Sequence, residues 1–371
     1  MRTTMATLPD QPTSRPTHVT AAGQPGSFPR LVADIGGTNA RFGWIAAPGA
    51  AVAQVQKLAV PDFAGPAEAA QAYLVGLAGQ AGLLAQQGLA YQPPRQAAFA
   101  VATAVAGDRI KFTNSHWDFS RAAVQATLGL DGLLMLNDFE SLALSLPRLG
   151  ADQLRSHAVP GAAAAAAPNT PGRLLAVVGP GTGLGVGAVV ATRSGWVALP
   201  GEGGHATLAP ADDVESAVLA AVRRHYAHVS AERLLSGIGL PLLHQALGQV
   251  LGQPSGNTPA ALTAAQIVAA GEDGSSPLCS HTLDLFCALL GGFAGNVALT
   301  LGARGGLFIG GGIVPRFEAR FFASAFRARF EAKGRFASYL AAIPTALITD
   351  TLAALSGAAL AIEQQVALAG G

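Results

Sequence analysis

Cysteine is scarce in this sequence, and its scarcity excludes two classes of protein. The chain has 371 residues but only 2 cysteines, Cys279 and Cys287, which lie in one apolar stretch. Two cysteines cannot supply a disulfide framework or a cysteine-rich zinc site. We expect both to be reduced thiols in a core helix, as in a cytoplasmic protein. Residues 1–29 lack the apolar segment of a secretory signal and are rich in Pro, Thr and Gly, so we predict a disordered extension there.

Lysine is also scarce, and this excludes the best-known nucleotide-binding loops. It occurs only at Lys57, Lys111 and Lys333, and none of these is followed by Ser or Thr. The Gly-Lys-Ser/Thr of a Walker A loop is therefore missing, as is the V-A-I-K strand of protein kinases. Residues 181–185 (G-T-G-L-G) do not have the G-x-G-x-x-G spacing of a dinucleotide site.

Charged residues are scarce as well, at 12% of the chain, and the formal net charge is +1. This balance gives no electrostatic reason to expect nucleic acid or an anionic membrane as a partner. The 50% hydrophobic content of so long a chain is enough for two lobes with large cores. The uncharged residues 285–303 are as long as a membrane span, but their glycines, Asn296 and Thr300 favour a helix buried against a sheet.

A glycine-rich turn between two apolar strands occurs twice along the chain. The first turn contains Gly36 and Gly37, and the second is residues 179–187 (G-P-G-T-G-L-G-V-G). The strands around these turns are residues 31–35, 41–45, 174–178 and 188–191. Each copy begins a stretch of alternating strands and helices, which predicts two α/β lobes.

The remaining elements follow from hydrophobic periodicity and turn residues. The other predicted strands are residues 97–105, 133–136, 306–309 and 345–349. The predicted helices are residues 66–88, one that begins near 139, 211–226, 230–236, 239–248, 262–270, 277–303, 315–332 and 351–367. Residues 161–172 are alanine-rich, and we expect a surface loop.

Three glycine-rich turns are candidates for phosphate binding, because backbone N–H groups can approach phosphate oxygens where no Cβ blocks them. They are residues 34–41 (D-I-G-G-T-N-A-R), 179–185 and 310–312. Each alone could simply reverse the chain. Together they predict a nucleotide site built without lysine. In this the chain resembles the actin-like ATPase and hexokinase superfamily, whose two related lobes clamp a nucleotide between such hairpins.

That resemblance implies ATP and Mg²⁺ as the cofactors, with the metal carried in with ATP rather than held by a separate protein site. It places Asp34 near the metal and the phosphates, whereas from the residues alone Asp34 could be an ordinary turn aspartate. The nucleotide-binding residues it implies are Asp34, Gly36, Gly37, Thr38, Asn39, Gly181, Thr182, Gly183 and Gly312.

Four further segments narrow the resemblance. They are residues 136–140 (L-N-D-F-E), 199–205 (L-P-G-E-G-G-H), 229–237 (V-S-A-E-R-L-L-S-G) and 310–317 (G-G-G-I-V-P-R-F). With the two hairpin loops they resemble bacterial glucokinases in order and roughly in spacing, from about residue 31 to the C-terminal helix. The resemblance implies an α/β, two-lobed actin-like ATPase (RNase H-like) fold with an interlobe cleft. It also implies phosphorylation of glucose at its 6-hydroxyl and a homodimer.

The domain organisation expected from these features has three parts. Residues 1–29 are the extension, residues 30–148 form a small α/β domain that residues 347–371 complete, and residues 149–346 form a large α/β domain.

Asp138 is the candidate catalytic base. A carboxylate at the end of a strand can be aimed into a cleft, where it can accept a proton from an attacking hydroxyl. From position alone Asp138 could equally be the N-cap of the helix that follows. The preceding Asn137 and the resemblance favour the catalytic role.

The remaining sugar contacts come mainly from the resemblance. Carboxylates accept hydrogen bonds from sugar hydroxyls, although Glu202 could be a solvated loop residue and Glu232 could serve only its helix start. We expected the glycines around Glu202 to let substrate approach. The substrate-binding residues implied are Asn114, Asn137, Asp138, Glu202, His205 and Glu232, with Thr113 beside Asn114 in a supporting role.

Two other functions remain open from the sequence. One is a kinase for another hexose, since the motifs do not separate epimers well. The other is a non-catalytic sugar-sensing regulator of the repressor and kinase sugar family, which usually carries an N-terminal helix-turn-helix and a Cys-rich zinc segment. Residues 1–29 are too rich in proline for such a motif, and the two cysteines cannot form that segment.

Overall fold

The computed structural model describes residues 28–112, 114–157, 170–253 and 262–370, and of residues 368–370 the backbone only. Almost all of the predicted extension, Thr113 and most of the predicted alanine-rich loop lie outside the described residues.

The predicted strands and helices occur in the predicted order, with further short elements between them, and the single helix predicted at residues 66–88 is two helices, Pro66–Gly79 and Ala81–Gln86. The strands are β1 (Arg30–Ile35), β2 (Asn39–Ile45), β3 (Ala53–Ala59), β4 (Gln96–Val101), β5 (Arg109–Lys111), β6 (Asp118–Ser120), β7 (Gly132–Asn137), β8 (Leu154–Ser156), β9 (Leu174–Pro180), β10 (Leu184–Thr192), β11 (Gly195–Leu199), β12 (Gly306–Ile309) and β13 (Thr345–Ile348). The α-helices are α1 (Pro66–Gly79), α2 (Ala81–Gln86), α3 (Arg121–Thr127), α4 (Asp138–Ser145), α5 (Asp213–Arg223), α6 (Ala231–Leu234), α7 (Leu240–Val250), α8 (Ala264–Glu272), α9 (Pro277–Leu301), α10 (Glu318–Ala323), α11 (Phe326–Glu331), α12 (Ala337–Ala341) and α13 (Ala353–Gly370).

Two large sheets repeat one arrangement, as the paired glycine turns predicted. The first has the order β3-β2-β1-β4-β7, and the second has the order β11-β10-β9-β12-β13-β8. In each, a central apolar strand (β1 or β9) pairs antiparallel with the strand that follows its glycine turn. On its other side it pairs with a parallel strand, β4 or β12. The turns and the ends of the parallel strands therefore lie at the same edge of each sheet.

Helices α4 and α13 pack against each other, and α13 contacts both sheets. On α13, Leu355 packs with Val32 of β1, and Leu360 packs with Val189 of β10. A Cβ at Gly357 of α13 would overlap the Ser141 carbonyl of α4, so the absence of a side chain lets the two helices touch. Strand β13, which includes residues 347–348, pairs within the second sheet. The domain boundaries stay a prediction.

The long apolar helix predicted at residues 277–303 is α9. It is long and apolar enough to cross a membrane, but 67% of its most apolar window is buried inside the protein. Cys279 and Cys287 are free thiols buried on this helix, as expected. A helix buried in a core explains these observations.

The prediction of one helix at residues 315–332 was wrong. The segment forms two short helices, α10 and α11, that are separated at Ser324. Ser324 has an extended backbone, and its hydroxyl accepts a hydrogen bond from the Phe326 N–H at 3.1 Å, which starts a new turn.

Candidate active site

Asn137, rather than Asp138, caps helix α4. The Asn137 Oδ1 accepts hydrogen bonds from the Phe139 and Glu140 N–H groups at 2.9 and 3.4 Å. Its Nδ2 donates to the Thr103 carbonyl at 3.2 Å, which ties the end of β7 to the loop after β4. The alternative interpretation of Asp138 as the N-cap is therefore excluded. The Asn137 amide keeps one N–H for another partner.

Asp138 occupies the first turn of α4, with its Oδ1 accepting the Phe139 N–H at 2.9 Å. Burial, and secondarily the negative charge of Asp34, raise the pKa of Asp138 to about 6 against the opposing effect of that hydrogen bond. A carboxylate with a pKa near neutrality can accept a proton and release it again. The Asp34 carboxylate is therefore close enough for its charge to act on Asp138.

Asp34 and Arg41 form a charged pair on the first hairpin. They are direct cross-strand neighbours in β1 and β2, and the Arg41 Nη1 lies 3.1 Å from the Asp34 Oδ2. Burial raises the pKa of Asp34, and Arg41 opposes this rise. In the turn itself, the Gly36 N–H donates to the Asn39 carbonyl at 2.9 Å, and Thr38 is exposed. The sequence predictions give Arg41 no role. Opposite residues of two strands joined by a short turn can be paired by counting outward from the turn, and this could have indicated that Arg41 faces Asp34.

The first turn lies directly against Asn114. A Cβ at Gly37 would lie 2.8 Å from the Asn114 backbone oxygen, so the lack of a side chain permits this approach. The structure thus brings the predicted sugar residue Asn114, whose side chain is exposed, to the predicted phosphate turn.

The second turn contains Gly181, Thr182 and Gly183, between β9 and β10. The Gly181 N–H donates to the Gly183 carbonyl at 2.8 Å, and Thr182 is exposed at the tip. The Gly181 carbonyl accepts the Gly237 N–H at 2.8 Å from the turn that precedes α7. This contact joins the predicted segment at residues 229–237 to the nucleotide turn.

Phe139 explains three glycines of the second hairpin, two of which, Gly179 and Gly185, lie in the predicted phosphate-binding turn. A Cβ at Gly179 or Gly185 would overlap the Phe139 ring, and one at Gly187 would lie 2.7 Å from the Phe139 carbonyl oxygen. These glycines therefore make room for the residue that follows Asp138. By contrast, a Cβ at Gly181 would meet nothing within 4 Å.

The third turn, residues 310–312, lies against the end of β9. The Ile313 N–H donates to the Pro180 carbonyl at 3.2 Å, and a Cβ at Gly311 would overlap the same oxygen. Gly311 has a φ of +79°, in the region that glycine favours. Gly312 is exposed, and its carbonyl accepts the Arg316 Nε–H at 3.1 Å.

Glu232 links the remaining predicted sugar residues to the second hairpin. Its Oε2 accepts the Leu184 N–H at 2.9 Å, and its Oε1 lies 3.8 Å from the His205 Nε2. The cap of α6 is Ser230, so Glu232 is not needed for that role. The Glu202 side chain is exposed, and its backbone carbonyl accepts the His205 N–H at 3.0 Å.

The glycines beside Glu202 have a packing reason that we did not expect. A Cβ at Gly203 would lie 2.9 Å from the Val186 Cβ, and one at Gly204 would overlap the Leu184 carbonyl oxygen. Only Gly201 has open space around it. The loop after β11 is therefore held close to β10, which brings His205 to Glu232.

Comparison with known proteins gives one consistent result. A family model described as glucokinase matches residues 31–365. A glucokinase of Aromatoleum aromaticum is 47% identical over 341 residues, which cover 92% of this chain and 96% of that relative. A crystal structure of a glucokinase from an Antarctic psychrotroph is 34% identical, covers 90% of this chain and 98% of its own, and superposes with a TM-score of 0.77.

A more distant structure supports the fold alone. The glucokinase of Balamuthia mandrillaris, solved in complex with glucose, is 19% identical and has a TM-score of 0.70 over 91% of this chain and 93% of its own. The predicted two-lobed α/β sugar kinase fold is confirmed. A family model matched over most of the chain and a relative at 47% identity show that the chain belongs to the glucokinase family.

Proposed function

We propose that the protein transfers the γ-phosphoryl group of ATP to the 6-hydroxyl of glucose, with Asp138 as the catalytic base. The observation that carries this proposal is the Asp138 carboxyl group, which is partly buried, has a pKa of about 6 and stands near Asp34. The next residue, Phe139, packs against the second glycine hairpin, and the charge of Asp34 on the first hairpin acts on Asp138. These observations support a base that works beside the predicted phosphate-binding turns.

Asp138 accepts the proton of the sugar hydroxyl as that oxygen attacks the γ-phosphorus in line, and ADP leaves. The Phe139 N–H, donated to the Asp138 Oδ1, fixes the carboxylate while its other oxygen faces the substrate. Backbone N–H groups of the glycine turns stabilise the negative charge on the phosphate oxygens. Loop closure over the cleft excludes water, which would otherwise take the phosphoryl group.

The residues present fit a magnesium ion that arrives with ATP. Among the described residues no group of three His, Cys, Asp or Glu side chains could hold a metal by itself. Mg²⁺ at such sites commonly needs only one or two carboxylates, with phosphates and water as the other ligands. Asp34 would supply this carboxylate, and its ion pair with Arg41 through Oδ2 would hold it in position. When bound, the ion neutralises charge on the transferred phosphoryl group.

Glucose is bound, in this proposal, by the residues around Asp138. Glu232 and Glu202 accept hydrogen bonds from sugar hydroxyls, and His205 and the free N–H of Asn137 complete the set with Asn114. Glu232 is half-buried, so its hydrogen bonds compete less with water than those of the exposed Glu202.

The setting proposed for this reaction is a cytoplasmic homodimer that acts on small molecules. The predicted small domain, residues 30–148 with 347–371, and large domain, residues 149–346, would close on the two substrates. A net charge of +1 supports the expectation of no nucleic-acid or membrane partner.

Replacing the proposed base tests the function directly. Asp138→Ala should lose turnover by about a thousandfold or more, yet keep glucose affinity within about one order of magnitude. ADP release measures turnover, and calorimetric titration measures glucose binding. Wild-type-like turnover in this variant would rule out the assignment.

Asp138→Asn separates loss of the base from loss of folding. Burial disfavours the charged carboxylate, so the neutral amide should unfold at a higher temperature than the wild type at neutral pH. Turnover should still be lost.

The identity of the sugar needs its own experiment. Initial rates with ATP–Mg²⁺ and a panel of glucose, mannose and fructose should give the highest kcat/KM for glucose. A higher value for another hexose would assign a different substrate. Sugar binding without ADP release would indicate a regulator, which none of the relatives described above is named as.

A further inference from the structure

Glu232 touches two loops with its two oxygens. Its Oε2 is held at 2.9 Å by the Leu184 N–H, just after the second glycine turn, while its Oε1 points toward His205 at 3.8 Å. A charge-assisted hydrogen bond of this kind is stronger than a neutral one and fixes the direction of the carboxylate. The turn thus determines where the second oxygen lies.

Gly183 is the residue of that turn in contact with the carboxylate. A Cβ at Gly183 would overlap the Glu232 Oε2, and its next contacts are with the Cδ and Cγ of the same side chain. The backbone at Gly183 does not have a positive φ, so alanine is allowed there without backbone strain. An added methyl group would therefore push Glu232 away and leave the turn as it is.

We propose that Gly183, a residue of the predicted nucleotide turn, sets the affinity of the sugar site by positioning Glu232. This inference rests on the proposed function, because it takes Glu232 as a sugar ligand. Gly183 is a positioning residue that acts through another side chain.

The test uses two alanine variants in one turn. Gly183→Ala should weaken glucose binding, measured by calorimetry without any nucleotide, by about tenfold, the worth of one charged hydrogen bond. Gly181→Ala is the matched control, because its methyl would enter open space and its φ is also not positive. Glucose affinity should stay within about twofold in this control, whatever happens to the KM for ATP.

A double-mutant cycle shows whether the effect passes through Glu232. Glu232→Ala alone should weaken glucose binding, and adding Gly183→Ala to it should change the affinity no further, since the methyl then meets no carboxylate. Additive effects would overturn the proposal. Should Gly183→Ala lower the unfolding temperature, recovery of that temperature in the double variant would support the same contact, and no recovery would count against it.

The outcomes distinguish this inference from the proposed function. Unchanged glucose affinity in Gly183→Ala, with normal binding by the wild type, overturns the inference and leaves the function intact. A wild type that neither binds nor phosphorylates glucose overturns both.

Discussion

The two glycine hairpins have the same place in their sheets but supply different things to the site. The first carries a charged pair, Asp34 and Arg41, at the end of its strands. The turn of the second, residues 181–183, has no charged side chain. Its strands instead leave space for Phe139, and Gly183 of its turn leaves space for Glu232.

This difference shows that glycine can be needed in a glycine-rich turn for two different physical reasons. In the first hairpin a glycine permits the approach of another backbone, that of Asn114. In the second, several glycines permit the approach of side chains that themselves border the reaction. We therefore expect charge to matter in the first hairpin, where Asp34 and Arg41 pair, and added volume to matter most where the second hairpin packs on Phe139.

The largest effect should come from volume in the second hairpin. Gly185→Ala would drive a methyl group into the Phe139 ring, which overpacks the core beside Asp138 and should cost about 2–3 kcal/mol of unfolding free energy. Turnover should fall with it, because Phe139 adjoins the proposed base. Denaturant unfolding and ADP release measure the two effects.

Gly36→Ala is the matched variant in the first hairpin. Its methyl would make an ordinary contact of 3.5 Å with the Asn39 carbonyl oxygen, so unfolding free energy should stay within about 0.5 kcal/mol. Adding Phe139→Leu to Gly185→Ala should restore part of the lost stability, because leucine leaves more room for the new methyl group than phenylalanine does. Equal losses in the two hairpins would break the comparison.

A smaller effect is expected from charge in the first hairpin. Asp34→Asn should lower kcat about a hundredfold and raise the Mg²⁺ concentration needed for half-maximal rate, because an amide is a weaker ligand than a carboxylate. Rates over a Mg²⁺ titration measure this. Thr182→Ala, in the uncharged second turn, should alter the KM for ATP but not the Mg²⁺ requirement. An equal shift of the Mg²⁺ requirement in both variants would contradict the proposed difference between the two hairpins.

The smallest effect is a shift in pH dependence. The kcat/KM for glucose should fall as pH drops through about 6, where the Asp138 carboxylate becomes protonated and can no longer accept a proton. Asp34 raises this pKa by its negative charge, so Asp34→Asn should move the acid limb to lower pH. Thr182→Ala should leave it in place. An unmoved limb in Asp34→Asn would show that the two carboxylates do not interact.

Local patterns in the sequence were enough for most of the fold. The apolar runs before and after each glycine turn predicted β1, β2, β9 and β10, because a buried strand needs a continuous apolar segment and a turn needs glycine. Strand β3 was missed, since it is a largely exposed edge strand in which polar residues interrupt the apolar ones. The break at Ser324 was missed because its cause is a single hydroxyl contact.

The sequence by itself determined the repeated hairpins and the order of the elements, which depend on residues that are close along the chain. The roles predicted for Asp34, Asp138 and Glu232 came from the resemblance to glucokinases, because their positions alone left other roles open. The tertiary structure alone decided that Asn137 caps α4, that Phe139 fills the second hairpin and that Glu232 holds the Leu184 N–H. The last two contacts join residues that are far apart along the chain, 48 positions in the case of Leu184 and Glu232. They depend on how the sheets and helices pack, and the local pattern of apolar and polar residues does not indicate that packing.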